Sequence, residues 1–260
     1  MNIYDIAKEA GVSISTVSRV LNDKGYVSAK TKARIQEVLK RNKYQPSAIA
    51  RGLVSGTMKN VAIVTVDVRH PHYAMTTFIM EQKLTGLGYM VLVCNTGAKK
   101  EECMKYLRML SRNQVEGVIL VGSEFNELCD PDELSQLLPE TPIVMANGEL
   151  KLPSVQSILV DEGYGVQLAV QHLYDRGHRN ISFVMDTQKD AAVRKRNGFL
   201  MKMKQFGYDD AKERILYTGY GVEGGEQAAK QIVGDARRYD AAIFTEDLTA
   251  IYAMNTLQNM

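Results

Sequence analysis

Several residue patterns that would point to particular classes of protein are absent from this 260-residue chain. No apolar stretch approaches the roughly 18 residues that a membrane-spanning helix needs, and the N-terminus lacks the apolar core of a secretory signal peptide. The three cysteines, Cys94, Cys103 and Cys129, are odd in number and too scattered for a zinc or redox motif. We therefore expect a cytoplasmic protein whose thiols are buried and inert.

Signatures of catalysis and of cofactor binding are also missing. No Ser/His/Asp or Cys/His arrangement has a recognisable local spacing, and His70-Pro71-His72 has no acidic or cysteine cluster nearby that would complete a metal site. Gly219 to Gly224 spell G-x-G-x-x-G, but no acidic residue ends the next strand about twenty residues on, as a dinucleotide site requires. A turn that leads into a helix explains this motif better. We predict no enzyme activity, metal or cofactor.

The N-terminal residues, by contrast, carry a clear pattern of short amphipathic helices. Ile3, Ile6, Ala7 and Ala10 recur at helical spacing, and Gly11 follows where a left-handed residue can end a helix. Ser13 and Ser28 can each cap a further helix. The second helix turns Val17, Val20 and Leu21 inward, and the third helix turns Ile35, Val38 and Leu39 inward. The outward face of the second helix is formed by Ile14, Ser15, Ser18, Arg19 and Asn22. Two short helices joined by a tight turn fit the major groove of DNA.

The distribution of charge supports an interface with nucleic acid. The whole chain carries a formal charge of only +2, but residues 1–60 hold eleven Lys and Arg against four acidic residues. The other 200 residues hold 21 basic and 26 acidic side chains. A basic head on a mildly acidic body is expected when one end of a protein meets phosphate.

The rest of the chain alternates between strand and helix patterns. Val61 to Val66 form a continuous apolar run, as parallel strands buried on both faces require. Further strands are predicted at 90–94, 117–121, 143–145, 180–185, 214–217 and 241–244, with helices at 73–87, 99–112, 163–176, 191–206, 223–233 and 248–257. Repeated βα units build doubly wound parallel sheets. The predicted fold is an all-α helix-turn-helix head joined to an α/β core of two such lobes.

Three segments, 7–22, 27–32 and 42–53, together resemble the LacI/GalR family of bacterial transcription regulators. This resemblance implies a DNA-binding domain at 1–46, a hinge helix and linker at 47–58, and a periplasmic-binding-protein-like core at 59–260. We expect a first lobe at about 59–147 and a second at about 148–260. Family members usually continue beyond the position of Met260, so we expect the core to be incomplete.

The resemblance also implies roles for residues of the head and hinge. Ile14, Ser15 and Arg19 match positions that read base edges, and arginine can grip guanine O6 and N7 with two hydrogen bonds. Positions that hold phosphates are matched by Tyr4, Thr16, Ser18 and Asn22, whose hydroxyls and amide would fix register without reading sequence. Leu53 matches the hinge leucine that wedges between base steps in the minor groove.

The effector positions implied by the resemblance follow strands of the core, where open parallel sheets bind their ligands. They are His72, Tyr73, Asp161, Arg194, Lys195 and Asp247. Lys195 stands in the usual arginine register, three residues before Gly198. Glu246 stands before Asp247, where the family often has asparagine.

These observations predict a sequence-specific transcription regulator, a repressor that binds a pseudo-palindromic operator as a dimer and responds to a small-molecule effector such as a sugar. We expect a cytoplasmic, nucleoid-associated homodimer. Two alternatives remain open. One is a truncated product that binds DNA or pairs with a relative without sensing a ligand. The other is a sugar- or nucleotide-binding protein or enzyme with a vestigial head.

Overall fold

The computed structural model describes residues 2–44, 57–235 and 237–260. Its first segment contains three helices: α1 (Ile3–Ala10), α2 (Ile14–Leu21) and α3 (Ala29–Arg41). Gly11 ends α1 with φ at +60°, as predicted. The Ser13 and Ser28 hydroxyls accept hydrogen bonds from the backbone N–H groups of Thr16 and Thr31, and so cap α2 and α3.

The three helices enclose a small apolar core of their own. Each helix contributes the face that its periodicity predicts, and the buried members are Ile6, Ala7, Ala10, Val17, Val20, Ile35 and Val38. Leu21 and Leu39 pack against this core while partly exposed. Because the core is small, an ion pair between Arg41 and Glu9 and a 3.0 Å hydrogen bond from Asn42 to Glu9 help to join α3 to α1.

The first lobe is built on a five-stranded parallel sheet in the order β2-β1-β3-β4-β5. Its strands are β1 (Asn60–Thr65), β2 (Met90–Asn95), β3 (Gly117–Val121), β4 (Ile143–Ala146) and β5 (Val155–Ile158). The intervening helices are α4 (Pro71–Gly86), α5 (Lys100–Arg112), α6 (Phe125–Leu128) and α7 (Pro131–Leu137). Every residue of β1 is buried, as its unbroken apolar run predicts.

The boundary between the lobes is the one prediction for this region that the sheet contradicts. We expected the first lobe to end at about residue 147, but β5 pairs in parallel with β4, with Val155 opposite Ile143 and Ile158 opposite Ala146. The first sheet therefore extends to Ile158. Within β5 only Val155 is buried, and so the segment lacks the apolar run by which the other strands were recognised.

The second lobe has a three-stranded parallel sheet in the order β7-β6-β8. Its strands are β6 (Ile181–Met185), β7 (Ile215–Tyr217) and β8 (Ala241–Phe244). Its helices are α8 (Glu162–Asp175), α9 (Asp190–Gln205), α10 (Gly221–Gly234) and α11 (Asp247–Gln258), with a short 3₁₀ turn at Ala211–Arg214. The architecture is thus the predicted one, a helical head followed by two parallel α/β lobes.

Helices α8 and α9 cross so closely that only glycine fits at the crossing. A Cβ atom on Gly198 would lie 2.1 Å from the carbonyl oxygen of Gly163. This contact brings the first turn of α8 against the middle of α9. It therefore sets the distance between Glu162 and Arg194, which belong to the cleft described below.

Candidate nucleic-acid interface and ligand cleft

The outward face of α2 presents the side chains that the sequence predicted to meet DNA. Ile14, Ser15, Arg19 and Asn22 are exposed, Thr16 and Ser18 are half-buried, and Tyr4 on α1 is 66% exposed. Leu53 and most of the predicted hinge at 47–58 lie outside the described residues.

Small polar groups on this face are tied to one another. The Ser13 hydroxyl lies 2.8 Å from both the Ser15 and the Thr16 hydroxyls, and the Asn22 amide donates to the Ser18 carbonyl at 2.9 Å. The bonds of Ser13 hold hydroxyls at the N-terminal end of α2, where the helix dipole favours an anion such as phosphate.

Arg19 is the cation on this face that the fold leaves free. Within the described residues its guanidinium makes no ion pair or hydrogen bond, whereas Lys32 pairs with Asp23 at 2.7 Å and Arg41 pairs with Glu9. A Cβ on Gly25 would lie 3.5 Å from Arg19 Cδ. The arginine stem therefore passes beside a glycine loop and its charged end remains available to a ligand.

A second site is expected where the order of each sheet reverses, because open α/β sheets bind ligands beyond the carboxyl ends of the strands at that point. In the first sheet the reversal lies between β1 and β3. Tyr73 follows β1 and Glu124 follows β3, and the Tyr73 hydroxyl donates to the two Glu124 oxygens at 2.9 and 2.8 Å. Burial and the neighbouring carboxylate raise the pKa of Tyr73, so this hydroxyl is a hydrogen-bond donor at neutral pH.

In the second sheet the reversal lies between β6 and β8, and it has a matching polar cluster. The Asp186 carboxylate, which follows β6, accepts hydrogen bonds from the hydroxyls of Thr245 at 2.6 Å and Thr249 at 3.1 Å. Lys195 Nζ donates to the Thr245 carbonyl at 2.9 Å. The predicted Lys195 is thus held against the end of β8 by a backbone acceptor.

The two clusters meet across the lobes through His70. His70 Nε2 lies 3.3 Å from an oxygen of Glu246, and its ring centroid is 5.2 Å from that of Tyr73 and 5.7 Å from that of Tyr220. Burial raises the pKa of Glu246; the carboxylates of Asp186 and Asp247 act in the same direction, while Lys195 and His70 oppose it. The lobes therefore face each other across a polar cleft.

Two further contacts join the lobes beside this cluster. Lys189 lies 3.5 Å from Glu124, and the Asn126 amide donates to Asp190 at 3.1 Å. A cavity of about 90 Å³ opens here, with a wall that includes Ser123, Glu124, Glu127, Leu128, Lys189 and Asp190. Residues after β3 and after β6 therefore share one small polar chamber.

Arg194 belongs to a separate part of the cleft wall. Its guanidinium lies 3.3 Å from Glu162, and the other Glu162 oxygen accepts from the Asn147 amide at 2.8 Å. The Glu162 side chain is only 10% exposed. Because Asn147 follows β4, this chain of contacts also connects the first sheet to the second lobe.

Three predicted effector residues lie outside these contacts. His72 is exposed and makes a ring contact with Tyr73. Asp161 is exposed and accepts from the Tyr164 backbone N–H at 2.8 Å, which caps α8. Asp247 is exposed in the first turn of α11.

The sequence reasoning missed the neighbours of these residues. Glu162 and Glu246 are next to predicted positions in the chain, and His70 lies two residues before one. Glu124, Asp186 and Tyr220 also follow strands. The available signal was their place in the loops after β1, β3, β5, β6, β7 and β8. It was incomplete because position in a loop does not tell which of two adjacent residues turns toward the other lobe.

The glycine motif at Gly219–Gly224 spans the entry into α10: Gly219 precedes the helix, and Gly221 to Gly224 form its first turn. The backbone N–H of Gly219 donates to the Gln227 side chain, and that of Gly221 donates to the Thr249 hydroxyl. These two N–H groups, which a bound phosphate would need as donors, are therefore already paired with side chains. A Cβ on Gly224 would lie 1.7 Å from the Gly219 carbonyl oxygen, which explains a glycine there by close packing.

The described part of the chain contains no His, Cys, Asp and Glu cluster suited to a metal. Among the described helices, none combines the length and apolarity needed to cross a membrane.

A helix-turn-helix head with an exposed arginine on its outward face, followed by two α/β lobes that meet across a polar cleft, defines a DNA-binding transcriptional regulator. Comparison with known proteins identifies the family. Residues 2–47 match the model for bacterial regulatory proteins of the lacI family, and residues 58–259 match the periplasmic binding proteins and sugar-binding domain of that family. The chain belongs to the lacI family of transcription regulators.

Individual relatives agree with this assignment. A helix-turn-helix-type transcriptional regulator of Lachnoclostridium phytofermentans is 32% identical over 253 residues, which cover 96% of this chain and 76% of the relative. Among solved structures, the lac repressor dimer bound to operator and an anti-inducer superposes with a TM-score of 0.86 at 21% identity, over 100% of this chain and 78% of that one. The regulator CelR in complex with cellobiose gives a TM-score of 0.60 at 24% identity, over 100% of this chain and 78% of that one.

Proposed function

We propose that the protein is a repressor that binds a pseudo-palindromic operator as a homodimer and is controlled by a small neutral polyhydroxy effector bound between its lobes. The observation that carries the DNA-binding part is the outward face of α2, where Arg19 has no partner among the described residues and polar side chains surround it. On this proposal, residues 1–46 read the DNA, residues 47–58 form the hinge and residues 59–260 form the core.

The head residues divide into readers and anchors. Arg19, Ser15 and Ile14 contact base edges in the major groove, and a bidentate arginine–guanine contact discriminates by about 1–3 kcal/mol. The phosphate anchors are Tyr4, Thr16, Ser18 and Asn22. Leu53 enters the minor groove and bends the duplex, which allows more protein to contact the DNA.

The experiment selects a randomised DNA library with the whole chain at two salt concentrations. We expect an enriched pseudo-palindrome with an affinity that falls as salt rises. Arg19→Ala should lose the motif. Arg19→Lys is the matched control, because it keeps the charge and the salt dependence but loses the planar two-donor contact, and so it should bind DNA with weaker base preference. Retention of the full motif by both variants would refute the assignment of Arg19.

A surface on the first lobe supports the dimer. Met75, Phe78 and Ile79 share one face of α4, and each is more than half exposed. Because an apolar stripe of this kind is seldom left in water, and because the operator-bound relative is a dimer, we assign this stripe to a second copy of the chain. Ile79→Asp should yield monomers in sedimentation, whereas Met201→Asp, at an exposed apolar position on α9, should leave the dimer intact.

The cleft supports the effector part of the proposal. The Tyr73 and Tyr220 rings offer faces for the apolar side of a sugar, while Glu124, Asp186 and Glu246 can accept hydrogen bonds from hydroxyls. On this proposal the predicted Lys195 and Arg194 supply donors, and the exposed side chains of His72, Asp161 and Asp247 complete the effector site. CelR, a structural relative, holds cellobiose.

Thermal shifts across a panel of sugars and purines test this part. A binding sugar should raise the melting temperature and change operator affinity. Lys195→Met should abolish the shift. Arg196→Met should preserve it, because among the described residues the Arg196 guanidinium bonds only to the adjacent Asn197. A shift with purines alone, or equal loss in both variants, would contradict the proposal.

A further inference from the structure

Two of the three cysteines, far apart in the sequence, come together inside the first lobe. The Sγ atoms of Cys103 and Cys129 lie 3.7 Å apart, and both side chains are buried. Cys103 lies near the start of α5, where its backbone N–H donates to the Lys99 carbonyl. Cys129 directly follows α6. The third thiol, Cys94 on β2, is also buried and makes no such sulfur contact.

The separation of these sulfur atoms is short enough for a covalent bond after a small movement. A disulfide has an S–S length of about 2.05 Å, so the atoms need to approach by about 1.7 Å. Rotation of two cysteine side chains and a slight shift of the four-residue α6 can supply such a distance.

The electrostatic surroundings favour attack by Cys103. A hydrogen bond from the Cys129 thiol lowers the pKa of Cys103, against the opposing effect of burial. The same hydrogen bond, together with burial, raises the pKa of Cys129. A position at the start of a helix also stabilises a thiolate. We therefore assign the attacking thiolate to Cys103, which lies in the first turn of α5, and the second thiol to Cys129.

We propose that Cys103 and Cys129 form an oxidisable thiol pair that hydrogen peroxide converts reversibly to a disulfide. The Cys103 thiolate attacks one peroxide oxygen, so that an S–O bond forms, the O–O bond breaks and hydroxide takes up the thiol proton as water. The Cys129 sulfur then attacks the Cys103 sulfenic acid. The S–S bond forms, the S–O bond breaks, and a second water carries away the Cys129 proton.

A disulfide at this place would act on the contact between the lobes. The segment that leads to Cys129 contains Glu124 and Asn126, which contact Lys189 and Asp190 of the second lobe. The cavity between the lobes reaches Leu128, the residue before Cys129. Fixing α6 against α5 should shift the arrangement of the lobes and thereby change operator affinity. The effect on operator affinity rests on the proposed function, whereas formation of the disulfide does not.

The test treats the reduced full chain with hydrogen peroxide and maps its peptides by mass spectrometry. Mapping is necessary because the chain has 13 methionines, which also gain oxygen. We expect one linked peptide pair, Cys103 with Cys129, that dithiothreitol separates. Cys94→Ser should form the same link. Cys103→Ser and Cys129→Ser should not, and the latter should yield a trappable sulfenic acid at Cys103.

The inference is overturned if the wild-type map shows methionine oxidation with both thiols unlinked, or a link through Cys94. The map of the wild type decides the matter even if a serine variant does not fold. Operator affinity of the oxidised and reduced forms is measured in parallel, with an expected difference on the order of fivefold. Failure of the reduced chain to bind any operator would refute the proposed function, while the peptide map would still decide on the disulfide.

Discussion

Replacement of Gly198 by alanine should loosen the second lobe by forcing apart the helices that cross there. The new Cβ would lie 2.1 Å from the Gly163 carbonyl oxygen and 2.7 Å from its carbonyl carbon and Cα. Because these obstacles are backbone atoms of α8 rather than the end of a flexible side chain, the helices themselves must move. The separation has to grow by about 1 Å before ordinary contact distances are restored.

The magnitude follows from two opposing terms. Overpacking costs about 1–3 kcal/mol, and a backbone obstacle places Gly198→Ala at the upper end of that range. Alanine recovers about 1 kcal/mol through its higher helix propensity. The net loss is about 2 kcal/mol, which corresponds to about a 30-fold increase in the equilibrium for local opening.

Hydrogen exchange followed by mass spectrometry measures this opening separately in each lobe. Peptides from α8 and α9 should exchange about 30-fold faster in Gly198→Ala, while peptides from α5 keep their rate. Gly165→Ala is the matched control, because this glycine also lies on α8 but a Cβ there meets nothing within 4 Å. Gly165→Ala should stabilise α8 by up to about 1 kcal/mol, and its peptides should therefore exchange more slowly than in the wild type. Equal behaviour of the two variants would show that the helix crossing does not limit the packing.

Three more predictions concern the caps, the cleft and the core. Ser13→Ala removes the cap of α2 and should cost the head about 1 kcal/mol in thermal unfolding, and an unchanged melting temperature would contradict that role. The pKa of Glu246 is raised, which means that folding favours the protonated form of this side chain. The stabilisation by protonated Glu246 is therefore fully present below pH 4.5, the ordinary pKa of the group, and is lost as the pH rises through the folded-state pKa. Glu246→Gln should therefore raise the melting temperature at pH 7 and match the wild type in acid, whereas a lower value at pH 7 would mean that the ion pair with His70 outweighs burial. The Phe183 ring is fully buried and stacks on Phe199 with the ring centroids 5.1 Å apart. Phe183→Ala should lower the free energy of unfolding in urea by about 3–5 kcal/mol, and Phe183→Leu should lower it much less. Similar losses in the two variants would exclude a cavity effect.

Most helices and strands could be predicted from the sequence because their signals are local. The stripe Val17, Val20 and Leu21 follows from the 3.6-residue period, and the run at β1 follows from burial on both faces. Segment β5 escaped prediction because its only buried residue is Val155. Its place in the first sheet comes from pairing with β4, and hydrogen bonds between strands leave little trace in a four-residue segment.

The outward face of α2 was likewise predictable, since the faces of one helix depend only on its own residues. The cleft was predictable to the level of its loops. Of two histidines separated by one proline, His72 was chosen from the sequence, but His70 makes the contact with Glu246. That choice depends on the position of α11 in another lobe, which no local pattern around residue 70 contains.

The amino-acid order alone was enough to specify the basic head, the cap residues, the outward position of Arg19 and the alternation of strands and helices, because each depends on neighbours within a few residues. Folding decided which distant groups meet: Cys103 with Cys129 across 26 residues, Tyr73 with Glu124 across 51, and Gly163 with Gly198 at the helix crossing. Such pairs are fixed by strand order and helix packing, which bury apolar surface over the whole lobe. The chemistry of the cleft is therefore a property of the packed lobes rather than of any one segment.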